Sequence, residues 1–373
     1  MRLSDLPTPC LVLDRTVLQR NLARMARVIA PSGVALRPHM KTAKSMDVLK
    51  LAMAAGPGAG PRGITVSTLA EAEYFSGNGV MDMLYAVGIT PYKLDQVAKL
   101  NAAGAQIIVI TDDLAMAGHI ADQTNPPRTL IEIDTGEHRG GLAPDDSRLM
   151  EIAAKLGPAL VGICTHAGHS YSARSPQAVA QVAEAERAGA VHAAERLRAA
   201  GHEIKIVSVG SSPTALAGGS LEGVTEIRPG VYMFGDLFQA EIGTHGPEDI
   251  AVSVLTSVIG NRPSQGRMLI DAGSIALSKD RSTADTENDM GFGLVVDLHG
   301  QPSLGRSLVE RAFQEHGVVA IDPNFASSQM PIGTKLRVLP NHTCLTAAAH
   351  DRYFVVDGGG DEVVAIWPRV NGW

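Results

Sequence analysis

The sequence predicts an α/β barrel followed by an all-β domain, and two observations carry that expectation. Short apolar runs rich in β-branched residues recur over the first two thirds of the chain, with helical segments between them. Near residue 240 the helical periodicity fades, and strand-like runs separated by Gly, Pro and Asp take over. The early runs are residues 34–41, 63–67, 81–87, 106–111, 129–134, 160–166, 204–209 and 224–228. Strands that alternate with helices pair in parallel, because a parallel neighbour requires a crossover, and eight such units form a (β/α)8 barrel. A doubly wound open sheet is the alternative with the same alternation.

The intervening segments carry helical signals. Residues 15–30 place Leu18, Leu22, Met25 and Ile29 on one face, with Asp14 in a capping position. Residues 175–200 are rich in Ala, Glu and Arg and open on Pro176. In the last third, residues 251–259, 268–271, 335–339 and 353–356 read as strands. The first strand, residues 10–13, precedes the barrel and is expected to pair with this later domain. The expected division is a barrel over 15–240 and a β domain over 241–373 joined by segment 1–14.

Composition narrows the function. The 373 residues are too many for one small core, and 45% hydrophobic with 19% charged residues is ordinary for a soluble globular chain. A net charge of -7 argues against nucleic acid as partner, though not against a small anion in a locally positive site. The N-terminus has no long apolar stretch after a basic start, and no apolar run reaches the roughly 18 residues of a membrane span. Cys10, Cys164 and Cys344 are odd in number and far apart, which points to reduced thiols in a cytoplasmic protein rather than a disulfide framework.

In a barrel, chemistry sits at the C-terminal ends of the strands. Lys41 ends the first run, in Arg37-Pro38-His39-Met40-Lys41-Thr42. A lysine at the mouth of an apolar cavity can lose its proton and attack an aldehyde; alone, it reads equally as a solvated lysine opening a helix. Lys44 reads as a surface residue. After the seventh run, Gly210-Ser211-Ser212-Pro213-Thr214 can bring amides and hydroxyls to a phosphate, or be a plain capped turn. Asp134-Thr135-Gly136-Glu137-His138-Arg139 holds an arginine on a glycine-bearing turn, able to donate to a phenolate or carboxylate or to lie in solvent. His166, with His169 and Tyr171 close behind, can wall a planar ligand or serve structure. Residues 314–317 form a further polar cluster, a closing loop or plain surface. His342-Thr343-Cys344 follows a late strand. On an extended segment residues two apart share a side, and imidazole with thiolate suits zinc.

Taken together, these segments resemble the fold-type III pyridoxal-phosphate (PLP) enzymes, the alanine racemase-like superfamily, and within it the D-serine dehydratase and D-threonine aldolase branch. Seven ordered motifs carry the resemblance: those around Lys41, Gly63–Ser67, Asp134–Gly136, His166–Gly168, Gly210–Thr214, Arg228-Pro229-Gly230-Val231-Tyr232, and Asn341–Cys344. It implies a PLP-binding (β/α)8 barrel with a C-terminal β domain, assembled as a homodimer whose active sites are shared between subunits. By the resemblance, Lys41 is the Schiff-base lysine and the base for the α-proton. His166 stacks on the pyridine ring, Arg139 reaches the phenolic oxygen, and Gly210, Ser211 and Thr214 hold the phosphate. Arg228 stands beside the pyridine nitrogen, with Tyr232 and Tyr171 close to cofactor or substrate. His342 and Cys344 are metal ligands, and the thiolate favours Zn2+ over the harder Mn2+ or Mg2+ expected of an H-x-D form. An always-charged arginine keeps the pyridine nitrogen unprotonated and the ring a weak electron sink, which suits elimination of a metal-polarised hydroxyl. The implied activity is dehydration of a D-configured β-hydroxy amino acid, such as D-serine or D-threo-3-hydroxyaspartate, to a 2-oxo acid and ammonia. Retro-aldol cleavage on the same scaffold and a non-catalytic PLP-homeostasis protein are the alternatives.

Overall fold

The computed structural model describes residues 1–55, 63–325 and 330–373. The first strand is β1 (Cys10–Asp14). Eight more follow in alternation with helices: β2 (Ala35–Leu36), β3 (Ile64–Val66), β4 (Asp82–Gly88), β5 (Gln106–Thr111), β6 (Thr129–Ile133), β7 (Leu160–Thr165), β8 (Ile206–Val209) and β9 (Glu226–Ile227). The chain divides into two compact units, one comprising Ala23–Gly230 with Val370–Trp373, the other Met1–Leu22 with Val231–Arg369.

In the first unit every strand pair is parallel and the order is β2-β9-β8-β7-β6-β5-β4-β3. A parallel bridge between His39 and Thr65 joins the two outer strands and closes the ring. This is the alternating barrel the sequence predicts. Its interior is filled by Leu84, Ile108, Ile110, Leu130, Cys164 and Ile206. The helix Arg15–Ile29 turns Leu18, Leu22, Met25 and Ile29 inward, and the Asp14 carboxylate accepts the Thr16 and Val17 N–H groups as its cap. The helix Pro176–Ala199 is capped by Ser175, whose hydroxyl accepts from the Ala178 N–H.

One strand is shorter than expected. Run 34–41 is regular only over Ala35–Leu36, because Pro38 has no N–H to give to a ladder. Beyond it the chain pairs irregularly: His39 N donates to Pro229 O at 2.9 Å, and Met40 N to Thr65 O at 2.8 Å. Lys41 therefore sits on a turn rather than at a strand terminus.

The second unit is built from β1 and eight later strands: β10 (Val252–Arg262), β11 (Arg267–Ile270), β12 (Gly293–Val296), β13 (Leu308–Ala312), β14 (Gly317–Ala320), β15 (Lys335–Pro340), β16 (Arg352–Val356) and β17 (Ala365–Pro368). The order β10-β11-β14-β13-β12-β15 returns to β10, giving a six-stranded antiparallel ring. Strand β10 is long enough to serve twice. A register shift between Val258 and Gly260 bends it, so that β11 pairs with its far end while β1 pairs antiparallel with its start. Strand β1 also pairs in parallel with β16, which continues to β17. The cluster at 314–317 is a tight β13–β14 turn, with Phe313 N donating to His316 O.

Candidate active site

A cavity of about 510 Å³ opens at the C-terminal ends of the parallel strands. Lys41, Arg139, His166, Gly210 and Arg228, all singled out in the sequence, line it together with His39. Five positions distant in sequence thus meet in one cavity because each follows a different strand of one ring.

The electrostatics of the cavity follow from its cations. Burial pulls the His166 imidazole down to about 3, and the nearby Lys41 and Arg139 charges add to the shift. His39 is also held well below its ordinary value, by burial first and then by Lys41, Arg228 and His166. Both rings are therefore neutral at pH 7 and present flat faces without charge. His166 is oriented by Nδ1, which lies 3.2 Å from the Gly210 carbonyl oxygen.

Arg228 is buried, and its guanidinium is held by neutral acceptors. Nη1 donates to Ser208 Oγ and Nη2 to the Thr165 carbonyl, both at 2.6 Å. Its direction is fixed without cancelling its charge. Arg139 is more exposed by contrast: its side chain is 57% exposed and 3.7 Å from Glu132. Burial raises the Glu132 carboxyl, with Arg139 pulling the other way. The turn carrying Arg139 is pinned at Asp134, whose Oδ1 accepts N–H groups from Gly136 and His138. It is pinned again at Asp112, which accepts from Gly141 N at 2.6 Å.

The turn after β8 is tied from below by a residue that sequence reading missed. Glu186, in the middle of the helix Pro176–Ala199, is buried and accepts from Ala167 N, Gly210 N and Thr214 Oγ1 at 3.0, 2.9 and 2.9 Å. One carboxylate thus fixes the residue after His166 and the turn at Gly210. Burial raises its pKa, and these three donors offset that in part. The Thr214 proton is spent on Glu186, so this hydroxyl supports the turn. Ser211 Oγ receives the Thr214 N–H and lies 2.9 Å from Ser170 Oγ. In an Ala/Glu/Arg-rich helix nothing local marks Glu186 as the buried glutamate.

Other expected residues are placed elsewhere. Tyr171 lies on the 3-10 turn Gly168–Ser172, and His169 faces Glu137 at 3.7 Å; neither lines the cavity. Lys44 is not an ordinary surface residue. It adopts a positive φ of 48°, and its amine reaches the buried Glu71 at 3.4 Å, with its side chain 15% exposed. Tyr232 belongs to the second unit, where it is buried on the short helix Val231–Met233; burial pushes its phenol up.

The second unit holds the His342–Cys344 pair. The expected extended segment is absent: β15 ends at Pro340, and a helix runs over Thr343–Ala348 with His342 as its N-cap. Cys344 nevertheless reaches the ring, and it hydrogen-bonds to His342 across the start of the helix. A further acid, Asp280, lies on the loop before β12 and bonds to His342 Nδ1. That contact turns Nε2 away from Asp280, and a carboxylate commonly orients a metal-binding histidine in this way. Burial opposes charge on His342, yet Asp280 and Cys344 outweigh it and push its pKa up to about 11. A ring crowded by acidic donors is chemically suited to a cation. Asp236 and Asn341 brace the segment: Asp236 Oδ2 accepts from Thr343 N, and Asn341 bonds Thr283 and Gly291. Among the described residues no group of three or more His, Cys, Asp or Glu is arranged to hold a metal.

An amine, two guanidiniums and two neutral imidazoles around one cavity suit an anionic aromatic aldehyde, and known families agree. The alanine racemase N-terminal domain matches residues 13–237, and the putative serine dehydratase domain matches residues 251–356. The chain belongs to the alanine racemase-like, fold-type III family of pyridoxal-phosphate proteins. It is 45% identical to the D-threo-3-hydroxyaspartate dehydratase of Delftia sp. (strain HT23), over 100% of this chain and 99% of that relative. It is 31% identical to the D-serine dehydratase of Dictyostelium discoideum, over 98% of each chain. Among solved structures, a cysteine-to-alanine mutant of D-threo-3-hydroxyaspartate dehydratase in the metal-free form superposes with a TM-score of 0.94 at 44% identity, covering 100% of both chains.

Proposed function

We propose that this chain is a PLP- and zinc-dependent dehydratase that converts a D-β-hydroxy amino acid, D-threo-3-hydroxyaspartate or D-serine, to a 2-oxo acid and ammonia. The observation that carries the reading is the Lys41 amine in one cavity with Arg139, Arg228 and two neutral histidines. The relatives named as dehydratases, matched over nearly the whole chain, support it.

Lys41 would carry the cofactor on its amine, and the same amine, once displaced by substrate, takes the α-proton. Pyridoxal phosphate supplies an aldehyde for amines and an electron-withdrawing ring for electrons released at Cα. His166 gives that ring a neutral face. The Arg228 guanidinium carries donors and no acceptor, while Arg139 provides charge for an anionic oxygen. Gly210 and Ser211 would border the phosphate, with Thr214 supporting their turn, and Tyr171 and Tyr232 belong to the proposed surroundings of cofactor or substrate. His342 Nε2 and the Cys344 thiolate would hold zinc, which supplies Lewis-acid polarisation of a hydroxyl. Loss of water across Cα–Cβ and hydrolysis at the Cα nitrogen give the 2-oxo acid and ammonia. The same reading takes 15–240 as the cofactor-binding domain and 241–373 with 1–14 as the metal-binding domain of a cytoplasmic homodimer. No helix among the described residues is long and apolar enough to cross a membrane.

The test is product identification. Purified protein is incubated with D- and L-serine, threonine and threo-3-hydroxyaspartate, with and without added zinc. A keto acid and ammonia from D-isomers alone is the expected result. Glycine and an aldehyde would replace this reading with an aldolase.

A further inference from the structure

The second unit contains another cavity, of about 600 Å³, that the proposed reaction does not use. Arg337 stands on its wall with Ile250, Val296, Leu339, Gly300 and Gln301. Arg337 sits mid-strand on β15, opposite Leu255 of β10 and Val296 of β12, and is only 3% exposed. Its Nε donates to Ser253 Oγ at 2.7 Å. Its two Nη atoms have no hydrogen-bond partner and no ion pair among the described residues. They lie beneath the open face of Gly300, where an added side-chain carbon would come within 3.0 Å of Nη1.

The neighbouring acids do not satisfy this charge. Asp14 and Asp297 are the carboxylates whose fields reach Arg337. Asp14 accepts N–H groups from Thr16, Val17, Gly358 and Gly359. Asp297 accepts from His299 N, Gln301 N and Ser303 Oγ. Each is spent on its own turn. Glu248 also borders the cavity, but its carboxylate folds back over Gly246, and Arg20 is taken by Asp249. A buried guanidinium with an open fork is costly unless an anion fills it, and the planar Nη pair matches a carboxylate with two parallel bonds. Burial pulls the arginine down to about 10 despite Asp14 and Asp297, in keeping with an incompletely paired cation. The rest of the wall selects the ligand's body, because Ile250, Val296 and Leu339 offer hydrocarbon rather than donors.

We propose that this cavity binds a small organic carboxylate, its head on the Arg337 Nη atoms and its aliphatic body against Val296, Leu339 and Ile250. Calorimetric titration of the cofactor-loaded protein with butyrate, and separately with inorganic phosphate, tests this. Butyrate should bind, and phosphate should bind more weakly. Arg337→Gln should weaken butyrate by roughly tenfold or more, the worth of a charge-assisted pair. Gln301→Trp, at an exposed position on the rim, should block binding while turnover and thermal unfolding stay unchanged; it keeps the test decisive if Arg337→Gln fails to fold. Absence of butyrate binding, binding unaltered in Gln301→Trp, or phosphate binding as tightly as butyrate would each overturn the proposal.

Discussion

Two histidines, one in each unit, show how neighbours decide what a buried imidazole does. Burial disfavours charge on both His166 and His342. Around His166 the neighbours are Lys41 and Arg139, and its pKa falls to about 3. Around His342 they are Asp280 and Cys344, and its pKa rises to about 11. The first ring is a neutral plate in an electropositive cavity, prepared for an anionic planar ligand. The second is a donor among acids, prepared for a cation. The same side chain would therefore serve the proposed cofactor site in one unit and the proposed metal site in the other.

The most severe way to separate the two regions is to remove the reacting group of one. Lys41→Ala should lose the visible absorbance of bound cofactor, and turnover should fall by about 10²–10⁴-fold or more through loss of proton transfer alone. Zinc content, measured by atomic emission, should stay at the wild-type level; retained turnover would remove Lys41 from the chemistry. Cys344→Ala should do the converse, abolishing zinc binding and dehydration while leaving cofactor absorbance intact. A variant that loses both signals would show that the two regions are not separable in this way.

Smaller changes reach the residues that orient the others. Asp280→Asn keeps the size of the side chain but removes the charge on His342 Nδ1. Zinc affinity should drop by about 10–100-fold in competition with a chromogenic chelator, the usual effect of losing such a carboxylate. Glu186→Gln can keep its one oxygen on Ala167 N and Gly210 N, which share Oε1, but its amide nitrogen then faces Thr214 Oγ1 and that hydroxyl loses its acceptor. It should cost about 1–3 kcal/mol of stability in urea unfolding and accelerate cofactor loss on dialysis. If cofactor retention is unchanged at that cost, Glu186 serves the barrel rather than the site.

What the sequence made legible follows a physical rule. The barrel was readable because alternation is written in every run, and Lys41, Arg139, His166, Gly210 and Arg228 because a barrel collects strand ends. Local exceptions were not. Run 34–41 has the composition of one strand, yet Pro38 stops it after Leu36. Lys44 looks like any surface lysine until the fold buries Glu71 beneath it. Glu186 is one of several glutamates on its helix, and only the packing of that helix on β7 and β8 makes it the buried one. Asp280 is 62 residues from His342, with no motif to join them. Extended spacing suggests that His342 and Cys344 share a side, but a helix start and not a strand brings the two together.

The mildest prediction tests the neutral plate directly. A histidine whose folded pKa lies near 3, against an ordinary 6.5, binds its proton only in the unfolded chain between those values. The unfolded state then carries more protons, so stability rises with pH across that window and is lost as pH falls below about 6.5. Each such ring contributes at most about 1.4 kcal/mol per pH unit, and His39 acts in the same direction. Urea unfolding of the zinc-loaded protein at about pH 7 and about pH 5 should therefore show a clear loss at the lower value. His166→Phe keeps a flat ring and removes the titration, and the loss should shrink by about one proton's worth. An unchanged slope in that variant would mean that the cavity lets His166 take up its proton in the folded state. The contrast with His342 would then rest on Asp280 and Cys344 alone.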